Sequence, residues 1–151
     1  MAHPDTGDQA PVIDRIAHDG ERVNTAAEPD ARPVVVYFYP RDDTPVCTRQ
    51  ACSFRDHLGE FNALDAQVIG VSADDDASHR DFAERHALTF PLISDHDGSL
   101  SQAFGVGRAL GVLANRVTFV IDRHGVIVMR YQAQLAAARH VEKAMTVLRT
   151  L

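Results

Sequence analysis

Val34-Val35-Val36-Tyr37-Phe38-Tyr39 is an unbroken run of β-branched and aromatic residues closed by Pro40. No polar residue alternates with the apolar ones, so the strand it predicts is buried on both faces, as strands of parallel sheets are. After the proline the period changes. From Pro45 to Phe61, the residues Cys47, Ala51, Phe54, Leu58 and Phe61 recur at steps of three and four, whereas Arg49, Asp56 and Glu60 fall elsewhere. That spacing traces one apolar face of a helix. A doubly buried strand feeding an amphipathic helix is the building unit of a layered α/β fold.

The flanking sequence extends this unit in both directions. Upstream, Ile13 to Ile16 and Arg22 to Asn24 flank the turn signal His18-Asp19-Gly20 and predict an N-terminal β-hairpin. Residues 1–9 are polar, carry Pro4 and Gly7, and read as a frayed tail, leaving 10–151 as a single domain. Downstream, the pattern predicts a strand over Gln67–Ser72, a helix from Asp74-Asp75-Asp76 to about His86, and a strand over Phe90–Ile93. A short helix over Ser99–Phe104 and a loop over 105–115 with three glycines follow. Val117–Ile121 and Val126–Tyr131 form a second hairpin, and a helix from about Leu135 to Leu148 buries Val141, Met145 and Leu148. Strands alternating with helices imply a parallel core sheet, to which the closing hairpin adds antiparallel strands. The expected architecture is α/β, with a mixed central sheet flanked by helices in a thioredoxin-like layout. Layout alone assigns no function.

Composition excludes several classes. A chain of 151 residues, 45% hydrophobic and 24% charged, is large enough to bury a full core, so its two cysteines are not needed as staples. Two are also too few for a disulfide framework or a four-thiolate zinc site. The formal charge of −6 argues against a nucleic-acid or anionic-membrane surface. No apolar run approaches the roughly 18–20 residues of a membrane span. Met1-Ala2-His3-Pro4-Asp5 lacks the basic and apolar regions of a signal peptide, so a cytoplasmic protein is expected.

The chemistry concentrates in Pro40-Arg41-Asp42-Asp43-Thr44-Pro45-Val46-Cys47-Thr48-Arg49-Gln50-Ala51-Cys52. Thr44 suits an N-cap and Pro45 the first helical position, which places Cys47 at the third helical residue. The unpaired amides and the positive end of the helix dipole lie there, and both favour a thiolate over a thiol. The segment also follows the C-terminal end of a parallel strand, where open α/β sheets carry their sites. Cys47 is therefore the candidate nucleophile. Cys52 stands five helical steps on, about 140° around and about 7.5 Å along the axis, with Cα atoms roughly 8.6 Å apart. A disulfide needs less than about 7 Å. Either the two cysteines are unrelated, or the helix unwinds whenever they join.

These residues together resemble a peroxiredoxin. The active-site loop P-x-x-x-T-x-x-C is present as Pro40, Thr44 and Cys47, and a second cysteine five residues later is similar to the bacterioferritin comigratory protein, or peroxiredoxin Q, group. Tyr37-Phe38-Tyr39-Pro40, Phe90-Pro91-Leu92-Ile93-Ser94-Asp95 and Arg116-Val117-Thr118-Phe119-Val120-Ile121-Asp122 look like family segments too. The resemblance implies a thiol peroxidase acting on hydrogen peroxide and organic hydroperoxides, in antioxidant defence. It implies Cys47 as the peroxidatic and Cys52 as the resolving cysteine, joined in an intramolecular disulfide that thioredoxin reduces. Thr44 would bond the thiolate and the peroxide, Pro40 would shield the sulfur from water, and Arg116 would bring a permanent charge. An intramolecular resolver implies no chemical need for a dimer, so a monomer is expected. Two residues depart from the group: Val46 stands where glycine is common, and Gln50 where many relatives have glutamate.

Other features read as structural. The three aspartates 74–76 suit the start of a helix. The eight histidines form no i, i+4 pair and are expected mostly at the surface, so neither a metal nor another cofactor is implied. Gly105, Gly107 and Gly111 lack the context of a phosphate-binding loop. A disulfide oxidoreductase of thioredoxin type is the alternative enzyme, disfavoured because no C-x-x-C is present. A redox sensor whose helix unwinds on oxidation is the non-enzymatic alternative.

Overall fold

Val34–Phe38 forms the central strand of the sheet, with all five residues buried. The structure, a computed structural model, describes residues 4–26, 31–109 and 113–151. In chain order the elements are strands β1 (Asp14–Ile16), β2 (Arg22–Asn24) and β3 (Val34–Phe38), helices α1 (Pro45–Asp56) and α2 (Leu58–Ala63), and strand β4 (Gln67–Ser72). Helix α3 (Asp76–Arg85), strand β5 (Leu92–Ser94) and helix α4 (Ser99–Ala103) follow. Short strands β6 (Arg108–Ala109) and β7 (Leu113–Ala114), strands β8 (Val117–Ile121) and β9 (Ile127–Gln132), and helix α5 (Ala137–Leu148) complete the chain. The main sheet has the order β5-β4-β3-β8-β9. β3 runs parallel to β4 and β4 to β5, whereas β8 is antiparallel to β3 and β9 to β8. This is the expected mixed sheet of the thioredoxin-like layout.

The pleat of β3 sorts its residues between two cores. Val35 and Tyr37 face the layer of α1, α2, α3 and α5, where they join Phe54, Phe61, Phe82 and Met145. Val34, Val36 and Phe38 face the other side, where they join Ile13 and Val23 of the N-terminal hairpin region and Leu100 of α4. Gly70 makes this packing possible in β4: a Cβ there would stand 2.7 Å from Leu92 Cδ2 and 3.1 Å from the Tyr37 hydroxyl.

Several boundaries differ from the sequence reading, each for a local reason. The helix expected from Pro45 to Phe61 divides at His57, whose ring Nδ1 meets the Ser53 carbonyl at 2.8 Å, and Gly59 just beyond is a poor helix former. Helix α3 starts later than read, because Asp75 is the N-cap and accepts from the Ser78 amide at 2.8 Å. The fifth strand lies two residues later than its expected start, and α5 starts at Ala137 behind an Ala136 N-cap. The loop expected over 105–115 contains the two-stranded hairpin β6–β7, and its residues 110–112 lie outside the described residues. The tail expected to fray is held in its described part. The Gly7 amide donates to the Ile127 carbonyl at 2.8 Å, the Ile127 amide to Asp8 at 2.9 Å and the Ala10 amide to Gly125 at 2.8 Å. Those are backbone bonds to the closing hairpin, made without regard to side-chain polarity. No helix among the described residues is long and apolar enough to cross a membrane.

Candidate active site

The chain leaves β3 through Tyr39 and Pro40 and must turn sharply into α1. Asp43 makes the turn with φ +61°, a left-handed conformation that aspartate tolerates better than most residues. Thr44 then takes the N-cap position with extended φ −89°, ψ 152°, and Pro45 opens the helix. The Thr44 hydroxyl does not cap. It donates to the Arg41 carbonyl at 2.9 Å and so tightens the loop on itself. Its oxygen keeps lone pairs to accept a further hydrogen bond. The expected bond from Thr44 to the Cys47 sulfur is therefore not made here, since the hydroxyl proton is committed to the loop.

The loop is fastened from behind by Asp42, which is buried. Its Oδ1 accepts from the Tyr39 hydroxyl at 2.6 Å and its Oδ2 from Ser78 Oγ at 2.9 Å. Oδ2 also meets His79 Nδ1 at 2.8 Å, and the Asp42 amide donates to Asp74 Oδ2 at 2.8 Å. The other His79 nitrogen, Nε2, faces the Ile93 carbonyl at 3.2 Å. Each ring nitrogen of His79 thus meets an oxygen, which fixes the imidazole between Asp42 and the Ile93 carbonyl. Burial pushes the Asp42 carboxyl up, but the His79, Tyr39 and Ser78 bonds outweigh it and hold it below its ordinary value. Sequence reading missed both residues. The expectation of surface histidines fails for His79 and His140, each fully buried because each ring has partners on both sides. Asp42, Asp74 and His79 also bring three potential ligand atoms within 4.8 Å, yet the carboxylate oxygens are taken up by these hydrogen bonds and by Ser72 Oγ on Asp74 at 2.6 Å.

Cys47 occupies the third helical position and is 1% exposed. The first bond of this helix runs from the Thr48 amide to the Thr44 carbonyl, so the Cys47 amide belongs to the turn that no helical carbonyl serves. Arg116 reaches the same sulfur from the start of β8, with Nη2 donating to Cys47 Sγ at 3.1 Å. The guanidinium is fixed by neighbours on two elements. Nη1 donates to Gln50 Oε1 on α1, and Nε donates to the Gln134 carbonyl at 2.9 Å in the segment between β9 and α5. Helix terminus and guanidinium both favour negative charge on the sulfur. Cys52 lies on the same unbroken helix, half-buried, and both cysteines are free. It opens onto a groove of about 660 Å³ between α1 and the start of α5, lined in part by Arg49, Ser53, Leu135 and Glu142.

Two further groups complete the surroundings. Tyr37 stacks on Phe54 with centroids 4.5 Å apart, and burial, followed by the Cys47 and Asp42 charges, holds its phenol well above the ordinary value. His140 accepts from the Thr118 hydroxyl at Nδ1 across 2.8 Å and donates from Nε2 to the Ala133 carbonyl at 2.8 Å. Burial lowers its pKa to about 4, with the Ala133 bond opposing and the Arg116 charge adding, so the ring is neutral. Of the residues singled out in the sequence, the structure brings Cys47 and Arg116 together, with Gln50 as the third member. Pro40 lies half-buried at the strand end, and Val46 half-buried in the first turn. Gln134, which no sequence signal marks, holds Arg116 twice: its main-chain carbonyl accepts from Nε and its side-chain Oε1 from the Arg116 amide at 2.5 Å.

The AhpC/TSA family matches residues 6–130. The chain is 40% identical over 146 residues to a chloroplastic peroxiredoxin Q of Oryza sativa, covering 96% of this chain and 67% of that one. Among solved structures, a peroxidoxin, BcpB, from Mycobacterium tuberculosis superposes with a TM-score of 0.90 at 34% identity over 99% of each chain. The bacterioferritin comigratory protein of Xanthomonas campestris, described for alkyl peroxide reduction, gives 0.80 at 30% identity, covering 91% of this chain and 90% of that one.

Proposed function

Because the chain belongs to the AhpC/TSA family, in its peroxiredoxin Q group, we propose that Cys47 is its peroxidatic sulfur and Cys52 its resolving one. The activity is thiol-dependent reduction of peroxides, and the observation that carries the residue assignment is the Arg116 bond to Cys47 Sγ at the helix N-terminus. In the first step the Cys47 thiolate attacks the terminal oxygen of the peroxide. The O–O bond breaks, a sulfenic acid forms, and the leaving alkoxide or hydroxide takes a proton from water. Arg116 offsets the charge that develops on the departing oxygen. Thr44 accepts from the peroxide hydroxyl through its free lone pairs, and Pro40 limits water at the sulfur. Cys52 then attacks the sulfenic sulfur, forming the disulfide and releasing water.

The disulfide returns to two thiols by exchange with an external dithiol, which we assign as thioredoxin. Cys52 is the more accessible sulfur and borders the groove beside α5, which supports attack at that atom. An intramolecular resolver closes the cycle within one chain, supporting a monomer in which residues 10–151 act as a single domain. A catalytic pair re-reduced at every turnover suits the reducing cytoplasm.

Intact-protein mass after one equivalent of peroxide tests the assignment. The wild type loses two hydrogens, Cys47→Ser loses none and consumes no peroxide, and Cys52→Ser gains one oxygen. Peroxide turnover by Cys47→Ser with thioredoxin would overturn it. Sedimentation of the reduced protein, cell fractionation, and replacement of thioredoxin by glutaredoxin check the oligomeric state, the compartment and the reductant in turn.

A further inference from the structure

Arg116 is a buried cation without a carboxylate. It is 3% exposed, and its donors go to Gln50 Oε1, the Gln134 carbonyl and Cys47 Sγ. Among the described residues no Asp or Glu stands within ion-pair distance of it. Two of its three acceptors are neutral amide oxygens, so the Cys47 sulfur is the one partner able to carry negative charge. A guanidinium removed from water is strongly disfavoured unless a counter-charge accompanies it.

The peroxidase reaction removes that counter-charge. The thiolate gives two electrons to the peroxide and becomes a neutral sulfenic acid, while the negative charge leaves with the alkoxide and is quenched by a proton from water. Arg116 is then enclosed with three uncharged acceptors. We propose that Gln50, by holding Arg116 through an uncharged amide, makes the closed site unstable once Cys47 is oxidised, so that loss of the thiolate charge itself drives the opening of α1 that carries Cys47 to Cys52. Gln50 is thus a positioning residue acting through Arg116, and the inference rests on the Cys47 and Cys52 assignment above.

A second observation has the same direction. Gln50 Nε2 is buried with no hydrogen-bond partner among the described residues, and Gln50 itself is fully buried. A buried donor left unpaired disfavours the closed state and is satisfied once water enters. Glutamate at this position would keep a carboxylate on the guanidinium after oxidation and carry no orphaned donor. The closed, oxidised site would then persist, leaving the sulfenic acid exposed to a second peroxide and conversion to sulfinic acid.

The test is Gln50→Glu, compared with wild type by acid quench and intact mass after one equivalent of peroxide. Disulfide closure, read as the loss of two hydrogens, should slow by roughly tenfold or more, the scale expected when a buried charge regains its partner. Sulfinic acid should appear at correspondingly lower peroxide. A mere loss of packing at position 50 would loosen α1 and speed closure, the opposite sign. Closure as fast as in the wild type, or faster, overturns the proposal. A wild type that forms no intramolecular disulfide overturns the cysteine assignment instead. An independent measurement does not require the Gln50 variant to fold: hydrogen exchange of the α1 amides in Cys47→Ser and Cys47→Asp. The neutral serine should exchange several-fold faster than the anionic aspartate. Equal protection in the two sinks the proposal.

Discussion

Asp42 Oδ2 and His79 Nδ1 stand 2.8 Å apart, with neither side chain more than 2% exposed. This contact joins the loop that delivers Cys47 to helix α3, and through His79 Nε2 to the carbonyl of Ile93 in β5. The catalytic loop is thereby fixed to the parallel half of the sheet, on the side away from Arg116.

The first prediction concerns that pair. Asp42→Asn should destabilise the fold by about 1–3 kcal/mol, because an amide can serve only part of the bonds that the buried carboxylate makes to Tyr39, Ser78 and His79. His79→Gln is the second single variant, and the double variant should lose less than the sum of the two, since the singles each remove the one contact they share. Urea denaturation of the two single variants and the double variant measures the coupling. A double variant as unstable as the sum of the singles would mean that the two residues do not act as a pair.

A second prediction is a pH dependence set by His140. Its folded pKa of about 4 lies below the 6.5 of the free side chain. Above pH 6.5 the ring is neutral in both folded and unfolded chains, and its contribution to stability is complete. As pH falls from 6.5 towards 4, the unfolded chain takes up the proton first, so stability is lost across that window. A shift of this size corresponds to about 3 kcal/mol. Asp42 is lowered from the usual carboxylate value, so its contribution is lost at more acid pH, below about 4. His140→Gln, which can still accept from Thr118 and donate to Ala133, should flatten the upper part of the profile. Thermal melts of both proteins from pH 7.5 to 4 decide this, and parallel curves would exclude His140 as the cause.

Arg116 gives a third prediction. Arg116→Met should lower the second-order rate with peroxide by roughly 10²–10³, the range seen when an aimed donor to a developing oxyanion is removed. Arg116→Lys keeps the charge but not the fork, and cannot serve both Gln50 Oε1 and Cys47 Sγ in the same planar geometry. It should fall between methionine and wild type. Competition for peroxide against a haem peroxidase measures all three, and a lysine variant as fast as wild type would show that charge alone suffices.

These contacts divide sharply in how far the sequence announces them. The turn from β3 into α1 is legible because it rests on local signals: the apolar run to Tyr39, Pro40, the Thr44-Pro45 start and the helical period after it. The mixed sheet follows from the order of such segments. Arg116 is marked by family resemblance alone, with no local pattern to single it out. Asp42 and His79 are 37 residues apart on different elements, and their pairing depends on the β3–β4 register, which no single segment encodes. Gln134 contributes both its main-chain carbonyl and its side-chain Oε1, which accepts from the Arg116 amide at 2.5 Å, yet no local pattern ties it to an arginine 18 residues earlier. The pinned tail at Gly7–Ala10 is also held by backbone bonds, so its polar composition misled. Gln50 departs from the group's common glutamate, but its role depends on a buried guanidinium that has no carboxylate beside it among the described residues.

The last prediction follows from the spacing of the two sulfurs. Cys47 and Cys52 belong to one continuous helix from Pro45 to Asp56, which holds their Cα atoms roughly 8.6 Å apart. A disulfide tolerates less than about 7 Å, so the oxidised protein cannot keep this helix intact. Far-ultraviolet circular dichroism should lose the signal of on the order of 6–10 helical residues on oxidation, because breaking the middle of a short helix leaves segments too short to persist. Hydrogen exchange should place the loss in α1, while β3 and α5 stay protected by the core. Reduction by dithiothreitol should restore both signals. Cys52→Ser, which stops at the sulfenic acid, should open without closing a ring. Unchanged α1 protection in protein shown by mass to contain the Cys47–Cys52 disulfide would contradict the helical geometry from which the mechanism is derived.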